Sequence, residues 1–99
     1  MLIIAGTLTV DASERERYMS AVADVAAQAR RAPGCFDFVQ APDLLDPTRI
    51  NIYERWASDD DLENFRSSGA SSEAEPEPSL PQIKAADVTK YRIAAVEAP

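Results

Sequence analysis

The sequence has 99 residues, 17 of them acidic and 10 basic, which gives a formal net charge of −7 at neutral pH. A nucleic-acid binder and an electrostatic anchor to a lipid membrane both need a basic face, so this balance argues against either class. The chain contains no histidine, which removes the usual acid/base group of neutral-pH catalysis and the commonest metal ligand. The length fits one domain, and we predict a single domain over residues 1–99.

The first predicted elements are a strand and a helix. Leu2–Val10 is rich in β-branched residues, which favours a strand. Ser13 and Glu16 have the spacing of a capping box, which predicts the start of a helix. Apolar side chains then recur at helical spacing until Pro33, which ends the helix together with the glycine that follows it.

Two further strands are predicted in the middle of the chain. Cys35–Ala41 is rich in aromatic and β-branched residues, and Arg49–Ala57 alternates between two sets of side chains. Because alternate residues of a strand point to opposite sides, each set occupies one face. The first set is Ile50, Ile52, Glu54 and Trp56, and the second is Asn51, Tyr53 and Arg55.

The last part of the chain predicts a short helix, a flexible segment and a final strand. Ser58 is suited to cap a helix that runs to about Arg66, with three aspartates at its positive dipole end. Residues 67–81 are rich in serine, glutamate and proline, which predicts a flexible acidic segment. The final strand is predicted over Val88–Val96. No apolar run approaches the roughly 20 residues of a membrane span.

The element order β-α-β-β-α-β predicts an α+β fold of the ferredoxin-like type. With right-handed crossovers, this order gives a four-stranded antiparallel sheet with both helices on one face. The other face then needs cover, and a second subunit is the simplest cover, so we expect a homodimer that forms through the sheets. The single cysteine excludes an intrachain disulfide, and the N-terminus lacks a basic leader, so the cytoplasm is the expected location.

Several side chains have both a functional and a structural interpretation. Glu54 is the acid most expected to lie among apolar neighbours, where burial would raise its pKa and make it a candidate proton acceptor. The alternative for Glu54 is an ion pair with an arginine such as Arg92. Trp56 is either a stacking surface for an aromatic substrate or ordinary core, the more common role. Phe36, Phe38 and Phe65 likewise form either an aromatic box or part of the core, the more common role.

The sequence resembles the antibiotic biosynthesis monooxygenase family. The resemblance rests on Ile4-Ala5-Gly6-Thr7-Leu8, Arg31-Ala32-Pro33-Gly34-Cys35 and Tyr53-Glu54-Arg55-Trp56-Ala57-Ser58, followed by Leu62-Glu63. The family implies small dimeric ferredoxin-like proteins with a pocket between sheet and helices. It also implies oxygenation of aromatic substrates without metal or flavin, so the resemblance predicts no cofactor.

The chain departs from the family's pattern at named positions. Many relatives carry a histidine after the Leu-Glu pair of the second helix, where this sequence has Asn64. The haem-degrading branch uses an asparagine on the first strand, a tryptophan on the second helix and a nearby histidine. The corresponding positions here are Thr7, Phe65 and no histidine at all, so we expect no haem degradation.

The resemblance and the residues together predict a cofactor-independent monooxygenase that acts on a small aromatic, quinol or polyketide-like compound. The candidate catalytic residues are Glu54 and Asn64, and the candidate substrate-binding residues are Thr7, Phe36, Trp56, Phe65 and Arg92. Two alternatives stay open on the same scaffold. One is a non-catalytic small-molecule-binding or interaction module, and the other is a cofactor-free isomerase or cyclase.

Overall fold

The computed structural model describes residues 1–68 and 81–99. Their four strands are β1 (Leu2–Val10), β2 (Cys35–Pro42), β3 (Arg49–Trp56) and β4 (Ile83–Arg92). Their two α-helices are α1 (Arg15–Arg31) and α2 (Asp59–Ser67). Most of the segment predicted to be flexible and acidic, residues 69–80, lies outside the described residues.

The strands form one antiparallel sheet in the order β2-β3-β1-β4. This order places the first and third strands in the centre and the last strand at an edge, which is the ferredoxin-like α+β fold that the sequence predicts. No helix in the described part of the chain is both long and apolar enough to cross a membrane.

The helices cover one face of the sheet, and the core lies between them. The even-numbered residues of β1 and β3 point to this helix face. Its buried apolar side chains form two clusters, one around Trp56 and Phe65 and the other around Val10 and Ile50. The odd-numbered residues of the same strands lie on the opposite face, which we call the open face because neither helix of the described residues covers it.

Two helix starts differ in how well the sequence predicts them. Ser58 caps α2 as expected, because its hydroxyl accepts a hydrogen bond from the amide of Asp61. The capping box predicted at Ser13 does not form: a turn of 3-10 helix over Ala12–Glu14 precedes α1, and α1 has no side-chain cap. The helical spacing after that point is as predicted, and α1 ends at Arg31.

The final strand lies earlier in the chain than the sequence predicts. Val88–Val96 was the expected range, whereas β4 begins at Ile83 and ends at Arg92. Every residue of β4 is exposed, so its sequence has no buried apolar alternation from which its ends can be read. The apolar residues after Arg92, including Ile93, belong to the C-terminal tail.

Candidate functional site

A buried carboxylate lies on the helix face of β3, near the end of the strand. Glu54 is 9% exposed, and Trp56, two residues further along, has no exposed surface. The two side chains are neighbours because residues i and i+2 of a strand share a face. The Trp56 indole Nε1–H donates a hydrogen bond of 2.9 Å to Oε1 of Glu54. Each buried polar group therefore has the other as its partner.

Burial controls the acidity of Glu54. Removal of the side chain from water raises the pKa of its carboxyl, while the hydrogen bond from Trp56 and the positive charge of Arg66 lower it by smaller amounts. The net effect is a raised pKa. A carboxylate with a raised pKa is a stronger base, so Glu54 has the property required of a proton acceptor.

The aromatic side chains on the helix face pack against one another. The Phe65 ring lies 5.5 Å from Trp56 and 6.3 Å from Phe38, measured between ring centroids. All three residues are buried, and they belong to one apolar cluster with residues of β1 and α2. Trp56 and Phe65 therefore form core in this conformation, the commoner of the two roles that the sequence allows.

A cleft opens between the C-terminal end of α1 and the length of α2. Its volume is about 360 Å³, and it is lined by Gln28, Arg31, Ala32, Pro33, Asp61, Asn64, Phe65 and Ser68. The amides of Gln28 and Asn64 and the guanidinium of Arg31 supply hydrogen-bond donors, while Phe65 supplies an apolar wall. The sequence singled out Asn64 and Phe65 but gave no signal for Gln28 or Arg31, since exposed helical residues of these types are common.

A glycine allows the turn between α1 and β2 to lie close to the start of α2. Gly34 has a φ of 81°, a left-handed conformation that residues with a side chain avoid. A Cβ atom at this position would lie 2.2 Å from the carboxyl carbon of Asp61. The Asp61 carboxylate itself accepts a hydrogen bond from the Ser58 hydroxyl. The turn at Gly34 can therefore lie this close to Asp61 of α2 only because residue 34 has no side chain.

The structure separates the two candidate catalytic residues. Asn64 is exposed in the cleft, whereas Glu54 does not line the cleft and lies in the core behind it. Phe65 connects the two regions, because its ring lines the cleft and also packs on Trp56.

Two of the candidate substrate-binding residues lie on the open face, away from Glu54. Thr7 pairs with Asn51 of β3 and so belongs to the open face. Phe36 is also directed away from Trp56: its ring is 54% exposed and lies under the guanidinium of Arg55, at 5.2 Å, on the open face. A break in the β2–β3 register between Cys35 and Asp37 accounts for this position, because it interrupts the alternation of β2.

Arg92 has a structural partner other than Glu54. Its guanidinium donates to both carboxylate oxygens of Asp59, at 2.6 and 3.3 Å, and Lys90 donates to the same carboxylate at 2.8 Å. These bonds hold the pKa of Asp59 at about 2. The alternative of an ion pair between Glu54 and Arg92 is therefore wrong in this structure, and the pair that forms ties β4 to the start of α2.

Cys35 lies near Glu54 but has the properties of an unreactive thiol. Burial raises the pKa of the Cys35 thiol, and the negative charge of Glu54 raises it further. A nucleophilic cysteine needs a lowered pKa, because the thiolate is the reactive form.

Among the described residues, no cluster of three or more cysteine, aspartate or glutamate side chains is arranged to hold a metal ion.

Comparison with known proteins assigns the sequence to a family. The sequence profile of the antibiotic biosynthesis monooxygenases matches residues 1–77. A comparison with curated proteins gives no significant match.

Solved structures with the same fold include close matches over the full length. A candidate antibiotic biosynthesis monooxygenase from Deinococcus radiodurans superposes with a TM-score of 0.83 at 20% identity, over 100% of this chain and 98% of that one. A second, from Nitrosomonas europaea, gives a TM-score of 0.76 at 17% identity, over 96% and 100% of the two chains.

A variant of the protein MhuD also matches, with a TM-score of 0.75 at 14% identity over 100% of both chains. That structure holds two manganese protoporphyrin IX molecules in each active site. At these identities the solved structures establish the shared fold, and the profile match over residues 1–77 establishes the family. The chain therefore belongs to the antibiotic biosynthesis monooxygenase family.

Proposed function

We propose that this protein is a cofactor-independent monooxygenase of a small aromatic, quinol or polyketide-like compound, with Glu54 as the proton acceptor. The observation that carries the proposal is the carboxylate of Glu54: it is buried, its pKa is raised, and Trp56 holds it in one orientation. Membership of the family supports the reaction class. The carboxylate supports the chemistry, because a phenol must lose a proton before it can reduce dioxygen.

The proposed reaction starts with transfer of the substrate's acidic proton to Glu54. The resulting anion is rich enough in electrons to reduce dioxygen directly, so the substrate itself is the reductant. In an anthrone-like substrate, one oxygen atom of dioxygen forms a bond with the deprotonated carbon, and the proton returns from Glu54 to the resulting peroxide. The O–O bond then breaks as the same carbon loses its second hydrogen and becomes a carbonyl, and the other oxygen leaves as water with these two hydrogens. The protein's part is to exclude water, hold the anion and accept the proton.

The cleft between α1 and α2 is the proposed entrance for the substrate. Arg31 and Asn64 line it and would bind the substrate's oxygen atoms, while Phe65 would contact its ring. Because Phe65 also packs on Trp56, the proposal requires the Phe65 side chain to rotate before the substrate reaches Glu54. Haem is not part of the proposal, since the chain has no histidine to bind its iron.

Oxygen consumption with a panel of quinols and anthrone-like phenols tests this proposal. The wild-type protein should consume oxygen and release one equivalent of oxygenated product with at least one member of the panel. Glu54→Gln, which keeps the size and the hydrogen bond from Trp56, should lower kcat by roughly 100-fold or more. Glu63→Gln, on the exposed side of α2, is the matched control and should retain full activity. Equal activity of wild type and Glu54→Gln would remove Glu54 from the mechanism.

A non-catalytic small-molecule binder is the second candidate. The observation that favours it is the packing of Trp56 and Phe65, which fills the space beside Glu54 with core side chains. Isothermal titration with the same panel separates the two candidates. Binding that is weakened by Arg31→Ala, with no oxygen consumption by any compound, would establish a binder and overturn the monooxygenase.

We also propose that the protein forms a homodimer through the open face. Exposed or partly exposed apolar side chains on this face, such as those of Ile3, Tyr53 and Tyr91, support the proposal. Light scattering measures the mass directly. A dimer mass is the expected result, and a monomer mass at micromolar concentration would overturn it.

A further inference from the structure

The cleft between α1 and α2 carries two charged side chains of opposite sign. Arg31 belongs to the last turn of α1, and Asp61 belongs to the first turn of α2. Among the described residues that line the cleft, these two are the only charged ones. The cleft therefore has a positive group on one wall and a negative group on the other.

The two charged groups do not neutralise each other. No ion pair joins Arg31 to Asp61, and the Arg31 guanidinium forms no hydrogen bond within residues 1–68 and 81–99. The Asp61 carboxylate accepts one hydrogen bond, of 3.0 Å, from the Ser58 hydroxyl to Oδ2. The guanidinium of Arg31 and the Oδ1 atom of Asp61 are therefore available to a ligand in the cleft.

The Asp61 carboxylate is held in place before any ligand binds. The Ser58 hydroxyl that donates to it also accepts a hydrogen bond of 3.1 Å from the Asp61 amide. On its other side the carboxyl group lies against the turn at Gly34, with room for no further atom between them. A ligand that bonds to Asp61 therefore spends little free energy on ordering this side chain.

The cleft also has an apolar wall of a size that suits a small ring. Phe65 is 7% exposed, and Ala32 and Pro33 line the cleft with it. The volume of about 360 Å³ lies within the range of small-molecule sites. The lining thus combines a cation, an anion and an apolar surface.

We propose that the cleft binds the zwitterionic head group of an aromatic amino acid, with the ligand's carboxylate on Arg31 and its ammonium group on Asp61. A guanidinium can hold a carboxylate through two parallel hydrogen bonds. A ligand of one sign would be attracted by one of the two residues and repelled by the other, whereas a zwitterion is attracted by both.

This inference rests on the proposed function, because it names the class of substrate that enters the cleft. With its head group between Arg31 and Asp61, the ligand's ring would lie on Phe65, the side chain that separates the cleft from Glu54. The head group would then fix which end of the substrate points toward the proposed proton acceptor.

Isothermal titration in the absence of oxygen tests the head-group site with three probes. L-Tyrosine carries both charges, tyramine lacks the carboxylate, and 3-(4-hydroxyphenyl)propionate lacks the ammonium group. L-Tyrosine should bind the wild-type protein roughly 10-fold or more tightly than either analogue. Equal affinity for the three probes, or no binding of L-tyrosine, would overturn the proposal.

Two variants connect each charge of the ligand to its residue. Arg31→Met should weaken the binding of L-tyrosine roughly 10-fold or more and bind tyramine at least as tightly as the wild type does. Asp61→Asn should weaken L-tyrosine similarly and bind the propionate at least as tightly. Arg17→Met and Glu63→Gln make the same changes on α1 and α2 outside the cleft and should alter no affinity. Equal weakening of all three probes by either cleft variant would contradict the assignment.

NMR of the wild-type protein locates the site without any substitution. L-Tyrosine should shift the side-chain amide signals of Gln28 and Asn64, which line the cleft. Shifts confined to other residues would overturn the proposal. The outcomes for the two proposals are separable, because binding is measured without oxygen. L-Tyrosine bound as expected, with no oxygen consumed in the quinol panel, would overturn only the monooxygenase. Oxygen consumption without binding of L-tyrosine would overturn only the head-group site.

Discussion

The indole of Trp56 donates its only hydrogen bond to the carboxylate of Glu54, 2.9 Å away on the same face of the same strand. Neither group is accessible enough for water to replace the other, since Trp56 is fully buried and Glu54 is 9% exposed. This hydrogen bond therefore contributes to the stability of the core and also fixes the position of the proposed proton acceptor. A change that removes the donor or the acceptor leaves a buried polar atom of the other residue without a partner.

Trp56→Phe should lower the free energy of unfolding by about 2–4 kcal/mol. The loss combines an unpaired buried carboxylate with a cavity beside Phe65. Urea denaturation of Trp56→Phe, Glu54→Leu and the double variant forms a cycle that measures the coupling between the two side chains, because each single change removes the hydrogen bond. We expect the double variant to be less destabilised than the sum of the two single changes. Strict additivity would show that the hydrogen bond contributes nothing to stability.

The raised pKa of Glu54 makes its effect on stability depend on pH. Because the folded state binds this proton more tightly than the unfolded state, ionisation of Glu54 destabilises the fold. The free-energy cost of this ionisation is absent at pH values below the usual pKa of a glutamate. It grows as the pH rises and is complete above the pKa of Glu54 in the folded state.

Glu54→Gln removes this ionisation and should therefore gain stability relative to wild type as the pH is raised from about 3 to 7. Urea denaturation across that range gives the difference at each pH, and exposed Glu63→Gln serves as the control without such a trend. A difference that shrinks with rising pH would mean that the folded state favours the charged carboxylate.

Asp59→Asn should loosen β4 without unfolding the core. The Asp59 carboxylate accepts from both Lys90 and Arg92, so the change removes the charged tie between α2 and β4. Amide hydrogen exchange, followed by NMR, should become faster in β4 and stay constant in β3. Asp60→Asn, on the next exposed residue of α2, is the control. Uniform acceleration across both strands would show a global effect instead.

The ion pairs of Asp59 with Lys90 and Arg92 should weaken in acid. The pKa of Asp59 is lowered to about 2 in the folded protein, so its contribution is present above the usual aspartate range and is lost as the pH falls through 2. Wild-type β4 amides should therefore exchange with a larger opening fraction near pH 2 than near pH 5, after correction for intrinsic rates. Asp59→Asn should show a smaller change between these pH values.

Arg15→Ala should expose the β2–β3 loop to proteolysis. The guanidinium of Arg15 contacts two carbonyl oxygens of the loop and that of Arg49 at the start of β3, and the loss of these hydrogen bonds should cost about 1 kcal/mol or more. A protease that cleaves beside leucine should cut the variant at Leu44 or Leu45 faster than it cuts the wild type. Arg17→Ala, which loses an exposed ion pair with Glu14, should be cut at the wild-type rate.

The fold was predictable because its central elements carry strong local signals. The alternation of β3 assigns Glu54 and Trp56 to the buried face, and Ser58 marks the start of α2. The position of β4 was not predictable, because an edge strand that buries no side chain shows no apolar periodicity. Its bonds to β1 depend on tertiary pairing and not on its own sequence.

The candidate site was predictable only in part. Burial and a raised pKa at Glu54 follow from the strand pattern, but a register break in β2 places Phe36 on the open face, and no local signal marks such a break. The separation of Asn64 from Glu54 arises from the way α2 packs on the sheet. The roles of the candidate residues in catalysis and binding remain predictions.

Because β4 lies at the edge of the sheet, we expect it to be less stable than the two central strands. Every residue of β4 is exposed, whereas β1 and β3 supply most of the buried strand residues of the described chain. We therefore expect β4 to open before the core unfolds, as a local opening unit. Detachment would make β1 an edge strand, with a row of unpaired backbone N–H and C=O groups along one side. Any extended peptide of suitable register could then take the vacant place, including β4 of another copy.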